Sequence, residues 1–199
     1  MRSSISMAVL ALSFSIPAYS SSVSDTKIES FLDQTGVAIY SKFRPVGEYL
    51  SSDSKPIKFT AITASEIGSA EVVKGVEISI GKSKHSDVAF SDYFDQEELP
   101  SLISNLRKVW NHNSTTSEEE SGALSVRTNS GISILLIEPS KLQTKDLDVK
   151  RFLLLATGDA SDELEKLNDP RKIDKIDGLA VLPMEGLKDV ISILDKASN

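Results

Sequence analysis

The chain contains no cysteine and only two histidines among its 199 residues. Without cysteine, the protein has no disulfide, no thiol nucleophile and no thiolate ligand for zinc or an iron–sulfur cluster. His85 and His112 lack a second histidine at a spacing suited to a metal ion. We therefore expect both to be solvated loop residues, and we expect no metal ion and no other cofactor.

Aromatic residues and net positive charge are also scarce. Aromatic side chains make up 6% of the residues, and 22 basic residues face 29 acidic ones, which gives a net charge of -7. A nonspecific binder of nucleic acid needs a basic surface, so we expect no nucleic acid as a partner. The 40% of hydrophobic residues and the chain length are typical of one soluble globular domain.

The N-terminal 20 residues have the features of a secretory signal peptide. Arg2 supplies a positive start, residues 5–16 form an apolar run, and Pro17 interrupts it. Small residues at positions 18 and 20 then precede a predicted cleavage site before Ser21. The apolar run is shorter than the roughly 20 residues that a spanning helix needs, and no later stretch approaches that length.

Export follows as an expectation from this segment. We expect a periplasmic or extracellular protein whose mature form comprises residues 21–199 and has no membrane span. Removal of Arg2 would leave 21 basic and 29 acidic residues. An exported chain without disulfides must be stabilised by core packing, which is common among bacterial exported proteins.

The apolar pattern predicts a short helix and then, twice, four strands followed by a longer helix. The longer helices are expected at residues 96–110 and 184–197. The strands are expected at about residues 37–43, 55–61, 76–80, 88–94, 122–128, 132–137, 151–157 and 178–182. Ser24 and Asp25 are expected to cap the short helix. The expected buried face of the first long helix comprises Leu99, Leu102, Ile103, Leu106 and Trp110.

The two long helices share a sequence pattern at an offset of 88 residues. Glu97, Leu99, Ile103, Ser104, Leu106 and Lys108 recur as Glu185, Leu187, Ile191, Ser192, Leu194 and Lys196. Two amphipathic helices match at apolar positions by chance, but the matching polar residues favour a duplication. We predict a single α+β domain with two antiparallel sheet units, each followed by a helix and related by a pseudo-twofold repeat. The half-repeats are about 36–110 and 122–197.

Four acidic residues, Asp92, Asp95, Glu97 and Glu98, cluster where the fourth strand meets the first long helix. Such oxygens could bind a hard cation, and paired carboxylates could act as acid and base. We favour a simpler interpretation, in which Asp95 caps the helix and the glutamates suit the positive end of its dipole. We therefore assign no catalytic, cofactor-binding or metal-binding residue, and keep these four as a candidate surface cluster.

The first half of the mature chain carries three stretches that are found together elsewhere. They are Ile28-Glu29-Ser30-Phe31-Leu32 with Thr35-Gly36, then Val76-Glu77-Ile78, then Asp92-Tyr93-Phe94-Asp95-Gln96-Glu97-Glu98-Leu99 with Leu102 and Leu106. In these stretches the chain resembles an uncharacterised group of bacterial exported proteins, which implies export and no known activity. The doubled layout of four strands and a helix also resembles the Whirly and PUR single-strand nucleic-acid binders, which implies a fold only.

Three functions remain open at the level of sequence. The leading hypothesis is an exported, non-catalytic protein that binds a protein or small ligand through a sheet surface or loops. A secreted hydrolase would be favoured if the four acids converged in a pocket. A single-strand nucleic-acid binder would be favoured by a lysine-lined sheet face with stacked aromatics.

Overall fold

The computed structural model describes residues 25–52, 54–81, 90–113, 122–138, 151–158, 160, 176 and 178–198. It has two four-stranded antiparallel sheets, each followed by a helix, and so confirms the predicted α+β fold class. The predicted signal peptide lies outside the described residues and stays a prediction. Within the described ranges, no helix is long and apolar enough to cross a membrane.

The first sheet, called sheet A, is a meander with the strand order β1-β2-β3-β4. Its strands are β1 Ile39–Leu50, β2 Pro56–Glu66, β3 Val72–Ile80 and β4 Phe90–Asp95; α1 Lys27–Leu32 precedes them, and the 3-10 turn Gln96–Glu98 and α2 Leu99–Trp110 follow. The strand β1 is longer than the sequence predicts. A β-bulge between Pro45 and Gly47 lets β1 continue past two residues that usually end a strand.

The second sheet, called sheet B, repeats this meander with the order β5-β6-β7-β8. Its strands are β5 Gly122–Arg127, β6 Ser133–Glu138, β7 Phe152–Ala156 and β8 Leu179–Pro183, and α3 Met184–Ala197 follows them directly. The bounds of α3 agree with the sequence prediction. The turn before β6 contains Gly131 at a φ of 89°, as the predicted hairpin requires.

The inner faces of both sheets share one core with the apolar faces of α2 and α3. α2 packs on β5 of sheet B, and α3 packs on β1 and β2 of sheet A as well as on β7 and β8 of its own sheet, so each helix reaches the opposite sheet. At Gly47 of β1, an added Cβ would lie 2.8 Å from Ile193 Cγ1, and at Gly186 of α3 it would overlap the Tyr49 hydroxyl. Glycine at both positions therefore permits the close approach of α3 to sheet A.

The outer faces of the two sheets are covered in different ways. On sheet A, α1 lays Ile28 and Phe31 on Ile62 and Ala64. On sheet B, an apolar cluster forms on the outer sides of the strands; it comprises Leu135, Ile137, Leu154, Ala156, Ala160, Ile176 and Leu179. The strands β6 and β7 are thus buried on both faces, as their continuous apolar runs predict.

The turn between β1 and β2 docks on the edge of sheet B. The Ser52 N–H donates to the Val181 carbonyl at 2.8 Å, and the buried Lys55 ammonium donates to the Leu179 carbonyl. These acceptors belong to β8, whose outer edge would otherwise be open. The edge of one half is thereby covered by a turn of the other half.

The strand registers place further residues at the offset that the two long helices share. Phe94 and Leu182 are 88 residues apart, like the matched helix positions, and each belongs to a row of paired residues. The rows are Arg44, Ala61, Val76 and Phe94 in sheet A, and Leu124, Leu136, Leu153 and Leu182 in sheet B. Arg107 and Asp195 share the same offset and touch each other. Equivalent positions would touch where a pseudo-twofold axis passed between them, so this contact is compatible with the predicted repeat, which stays a prediction.

Candidate functional site

Asp95 caps a helix other than the one predicted. It stands at the N-cap position of the 3-10 turn, but its side chain makes no capping hydrogen bond there. Instead, its carboxylate accepts from the backbone N–H groups of Lys27 and Ile28, both at 3.0 Å. These N–H groups open α1 and have no acceptor within that helix. Asp95 therefore joins α1 to the end of β4.

The local cap of α1 also differs from the prediction. Thr26, rather than Ser24 or Asp25, is the N-cap residue, and its Oγ1 accepts from the Glu29 N–H at 3.2 Å. Thr26 is buried beside the Asp95 contact, so two acceptors serve successive amides of one short helix. The sequence suggested a capped helix but could not show that part of the cap comes from a distant strand.

Glu97 makes an exposed ion pair with Lys27. The Glu97 Oε1 lies 3.1 Å from the Lys27 Nζ, and both side chains are about two-thirds exposed. Hydrogen bonds from its own backbone and from Lys27 lower the pKa of Glu97. An ion pair this exposed contributes little to stability. Glu97 therefore supports the attachment of α1 without forming a site of its own.

Glu98 points towards sheet B. Its Oε1 accepts from the Asn129 N–H at 3.2 Å, in the turn between β5 and β6. Burial raises the pKa of Glu98, the hydrogen bond from Asn129 opposes that shift, and the negative charge of Asp95 adds to it. Glu98 thus joins the start of α2 to the opposite sheet.

Asp92 likewise reaches sheet B. Its Oδ2 accepts from the Gly158 N–H at 2.8 Å, and its Oδ1 accepts from the Tyr93 N–H at 2.8 Å. Gly158 follows β7, so this carboxylate also crosses between the halves. The four candidate acids therefore divide into two pairs. Asp95 and Glu97 contact α1, whereas Asp92 and Glu98 contact loops next to strands of sheet B. Among the described residues, no three histidine, aspartate or glutamate side chains converge as a metal ion would require.

A charged cluster that the sequence did not single out lies at the end of sheet B. Glu138 is only 4% exposed, and its Oε1 lies 2.7 Å from the Arg151 Nε. His112 lies beside them, with its Nε2 3.5 Å from Glu138 Oε2 and its carbonyl accepting from Arg151 Nη2 at 2.8 Å. The prediction that His112 is merely solvated is therefore wrong, whereas His85 lies outside the described residues. The signal in the sequence was Glu138, which continues the alternation of Ile134 and Leu136.

The corresponding end of sheet A is largely exposed on its inner face, whereas α1 covers part of its outer face. We call it the overhang; it comprises residues 39–44 of β1, 61–66 of β2 and 72–75 of β3. Tyr40, Phe43 and Val72 are each more than half exposed there. Strand pairing places Tyr40, Ser65 and Val72 in the outermost row of its inner face, and Lys42, Thr63 and Lys74 in the next. Tyr40 and Val72 thus lie on the inner face of the overhang, and Phe43 lies on the outer face.

The overhang carries three exposed bases, namely Lys42, Arg44 and Lys74. Lys42 Nζ lies 5.7 Å from the centroid of the Tyr40 ring, a cation–π distance. Within the part of the chain that the structure describes, none of the three bases has an ion pair. The strand pairing places no acidic residue on the inner face of the overhang. The face is thus positive on a chain whose net charge is -7.

A comparison of equivalent rows shows why these bases have no counter-charge. In sheet A, the residues two positions along each strand from Arg44, Ala61 and Val76 are Lys42, Thr63 and Lys74. The residues at the same positions in sheet B are Gly122, Glu138 and Arg151. In sheet B, Glu138 neutralises Arg151. In sheet A, Thr63 stands where the carboxylate would be, between two lysines.

Among the described strands, none pairs with the outer edge of β1, and we call this the open edge of the overhang. β1 is the first strand of sheet A, and the Ala38 carbonyl accepts from the Ile67 N–H at 2.8 Å. Because antiparallel pairs alternate, the backbone groups of Ile39, Ser41 and Phe43 point away from β2, towards the open edge. Local sequence patterns could not reveal this edge, since they do not show which strand lies outermost.

Comparison of the chain with models of protein families, with curated proteins and with solved structures gives no match. The resemblances drawn from the sequence therefore stay expectations.

Proposed function

We propose that this protein is an exported, non-catalytic binding protein whose overhang takes a protein partner with acidic side chains. The observation that carries the proposal is the set of three bases, Lys42, Arg44 and Lys74, exposed beside apolar side chains and lacking a described ion pair. Protein interfaces typically combine apolar anchors with charges that complement the partner. Tyr40, Phe43 and Val72 supply such anchors here.

The arrangement of the four junction acids supports binding over hydrolysis. Asp95 and Glu98 accept backbone hydrogen bonds from α1 and from sheet B, and Asp92 accepts one from Gly158. These contacts give each carboxylate a part in joining elements of the fold. No observation on the described residues favours the hydrolase, which therefore stays behind the binding proposal.

Single-strand nucleic-acid binding is the second candidate, because the overhang combines bases with an aromatic ring. Tyr40 is the one aromatic residue on its inner face, and Phe43 lies on the outer face. Lys42 occupies a position over the Tyr40 ring. Binding of single strands rests on several stacking rings along a basic groove, so this small face favours an acidic protein.

Two labelled probes test the proposal, namely polyglutamate and a single-stranded DNA of about thirty nucleotides, with fluorescence anisotropy in about 0.15 M salt. The overhang variant combines Lys42→Glu, Arg44→Glu and Lys74→Glu. A control variant with the same charge change combines Lys58→Glu, Lys188→Glu and Lys196→Glu, at exposed positions elsewhere. We expect polyglutamate to bind the mature protein and the control variant, and to lose affinity for the overhang variant. Tighter binding of the DNA would overturn the proposal.

Capture of partners with the tagged protein from its native envelope complements these probes. A genuine partner should be retained by the control variant, lost by the overhang variant, and should carry an acidic segment. N-terminal sequencing of the same material tests export, since the mature chain is expected to begin at or near Ser21. A native chain that begins at Met1 would contradict the export part of the proposal.

A further inference from the structure

We infer that the partner binds by strand addition, with an extended acidic segment joining β1 as a fifth strand of sheet A. This inference rests on the proposed function and specifies how the overhang is used. The backbone groups of Ile39, Ser41 and Phe43 along the open edge offer both donors and acceptors to such a segment. Residues 39–44 match the length of an ordinary strand of about five or six residues.

The length of the docking edge is limited by β1 itself. Pro45 has no N–H to donate, and the bulge between Pro45 and Gly47 changes the register. Beyond it, Gly47 lies beneath Ile193, so α3 covers the inner face of the strand there. The proline and the bulge interrupt the regular edge, as edge strands often do, and the uninterrupted part is residues 39–44.

The side chains of the overhang define the pattern of the segment. On an added strand, directly opposite side chains lie about 5 Å from those of β1. Every second residue would therefore face Tyr40, Lys42 and Arg44 on the inner face, where carboxylates fit. The intervening residues would lie beside Phe43 on the outer face, where an apolar side chain fits. The segment thus alternates acidic and apolar residues.

Charge also decides against a second copy of this chain as the occupant. In an antiparallel pair of β1 strands, residues that face each other share one side of the sheet. The Lys42 and Arg44 side chains of both copies would then lie on the same face, with no acidic residue between them. An acidic segment instead supplies the carboxylate that Glu138 supplies in sheet B.

The test uses a labelled synthetic peptide of about nine residues in which glutamate and valine alternate, titrated onto the mature protein. Lys42→Glu should weaken binding about tenfold or more, because this position lies directly beside the added strand. Lys74→Glu is the matched control. It lies two strands inward, roughly 10 Å from β1, and should weaken binding less than about threefold.

Two backbone substitutions test strand addition itself. Ser41→Pro removes one outward N–H and leaves the hydrogen bonds between β1 and β2 in place, so it should abolish peptide binding with little change in Tm. In the peptide, N-methylation of one alternating set of amides should abolish binding, and methylation of the other set should not.

The outcomes separate this inference from the proposed function. Strand addition would be overturned if Lys42→Glu and Lys74→Glu weakened peptide binding equally and N-methylation of the peptide had no effect. The acidic partner would then bind on the face of the sheet. Binding that is unaffected by any of the three bases would overturn both. Self-association of the unmodified protein that Ser41→Pro abolishes would replace the acidic segment with a second copy.

Discussion

Sheets A and B have the same strand order and equivalent core rows, but their ends differ. In sheet B the end row is neutralised, because Glu138 pairs with Arg151, and His112 contacts both residues. In sheet A the equivalent row places Thr63 between Lys42 and Lys74 and leaves both lysines exposed. The two sheets thus agree where they pack against each other, and they differ at the end where we propose that a partner binds.

The largest expected effect tests whether the two halves share one core. Leu106 of α2 and Leu194 of α3 occupy matched positions and are fully buried. Leu106→Asp and Leu194→Asp should each lower the free energy of unfolding by about 4 kcal/mol or more, because each buries an unpaired charge. Chemical denaturation measures both. An unchanged stability in either variant would show that its helix face is misassigned.

The next effect contrasts the two end rows. Glu138→Gln leaves Arg151 partly buried without its counter-charge and should cost about 3 kcal/mol in unfolding free energy. The reciprocal change, Thr63→Glu, places a carboxylate between two exposed lysines and should alter stability by less than about 1 kcal/mol. It should nevertheless weaken peptide binding at the overhang. Equal destabilisation by both changes would contradict the difference between the rows.

A smaller effect concerns the attachment of α1, which only sheet A has among the described elements. Asp95→Asn removes a charge-assisted acceptor from two N–H groups and should cost about 2 kcal/mol. Hydrogen exchange of the Lys27 and Ile28 amides should accelerate. The control, Glu97→Gln, affects only an exposed ion pair and should cost a few tenths of a kcal/mol. Unchanged protection of these amides in Asp95→Asn would refute the cap.

The contact at the predicted pseudo-twofold axis should contribute still less to the free energy of unfolding. Arg107 and Asp195 form two hydrogen bonds, at 2.7 and 3.0 Å, but both side chains are about half exposed. Arg107→Asp or Asp195→Arg alone should cost about 0.5 kcal/mol, through lost pairing and like-charge repulsion. Because the positions are related by the axis, the double exchange should restore the pair. A double-mutant cycle that shows no coupling energy between Arg107 and Asp195 would contradict the predicted pairing of these two positions.

The smallest effect is a pH dependence at Glu98. Burial raises the pKa of Glu98 in the folded state, so the fold favours the protonated carboxyl. The resulting stabilisation is fully present below the ordinary carboxyl pKa and is lost as the pH rises through the folded pKa. Glu98→Gln should therefore be stabilising at neutral pH, by about 0.5 kcal/mol or less, and lose that advantage on acidification. Unfolding curves between pH 4 and 7, about the carboxyl range, measure the difference. If Glu98→Gln stabilised the protein more at low pH than at neutral pH, the predicted direction of the pKa effect would be contradicted.

The sequence predicted the element order because the apolar alternation and turn residues are local signals. It placed α3 correctly and identified β6 and β7 as buried on both faces. It failed where distant residues decide the outcome. Trp110 fits the apolar stripe of α2, but Val109 is buried there and Trp110 is 37% exposed, because packing selects between adjacent positions.

At the candidate site too, the sequence indicated residues that are neighbours in the chain but not the contacts between distant residues. The sequence located the four junction acids but not their partners, since Asp95 serves a helix 67 residues away. The overhang escaped notice because its bases lie on two strands, β1 and β3, that are separated in the sequence and by β2 in the sheet. Only the strand pairing brings Lys42, Thr63 and Lys74 into one row.

The turn between β1 and β2 has a consequence for the order in which the chain folds. Its lysine, Lys55, reaches an acceptor 124 residues later, in the last strand. Contacts of such sequence separation slow folding, because the intervening chain must be closed into a loop first. During synthesis, the first hairpin can form early, but its turn gains this acceptor only after β8 has emerged. The hairpin that carries the overhang is thus formed by the earliest strands and is anchored, at its opposite end, by the latest one.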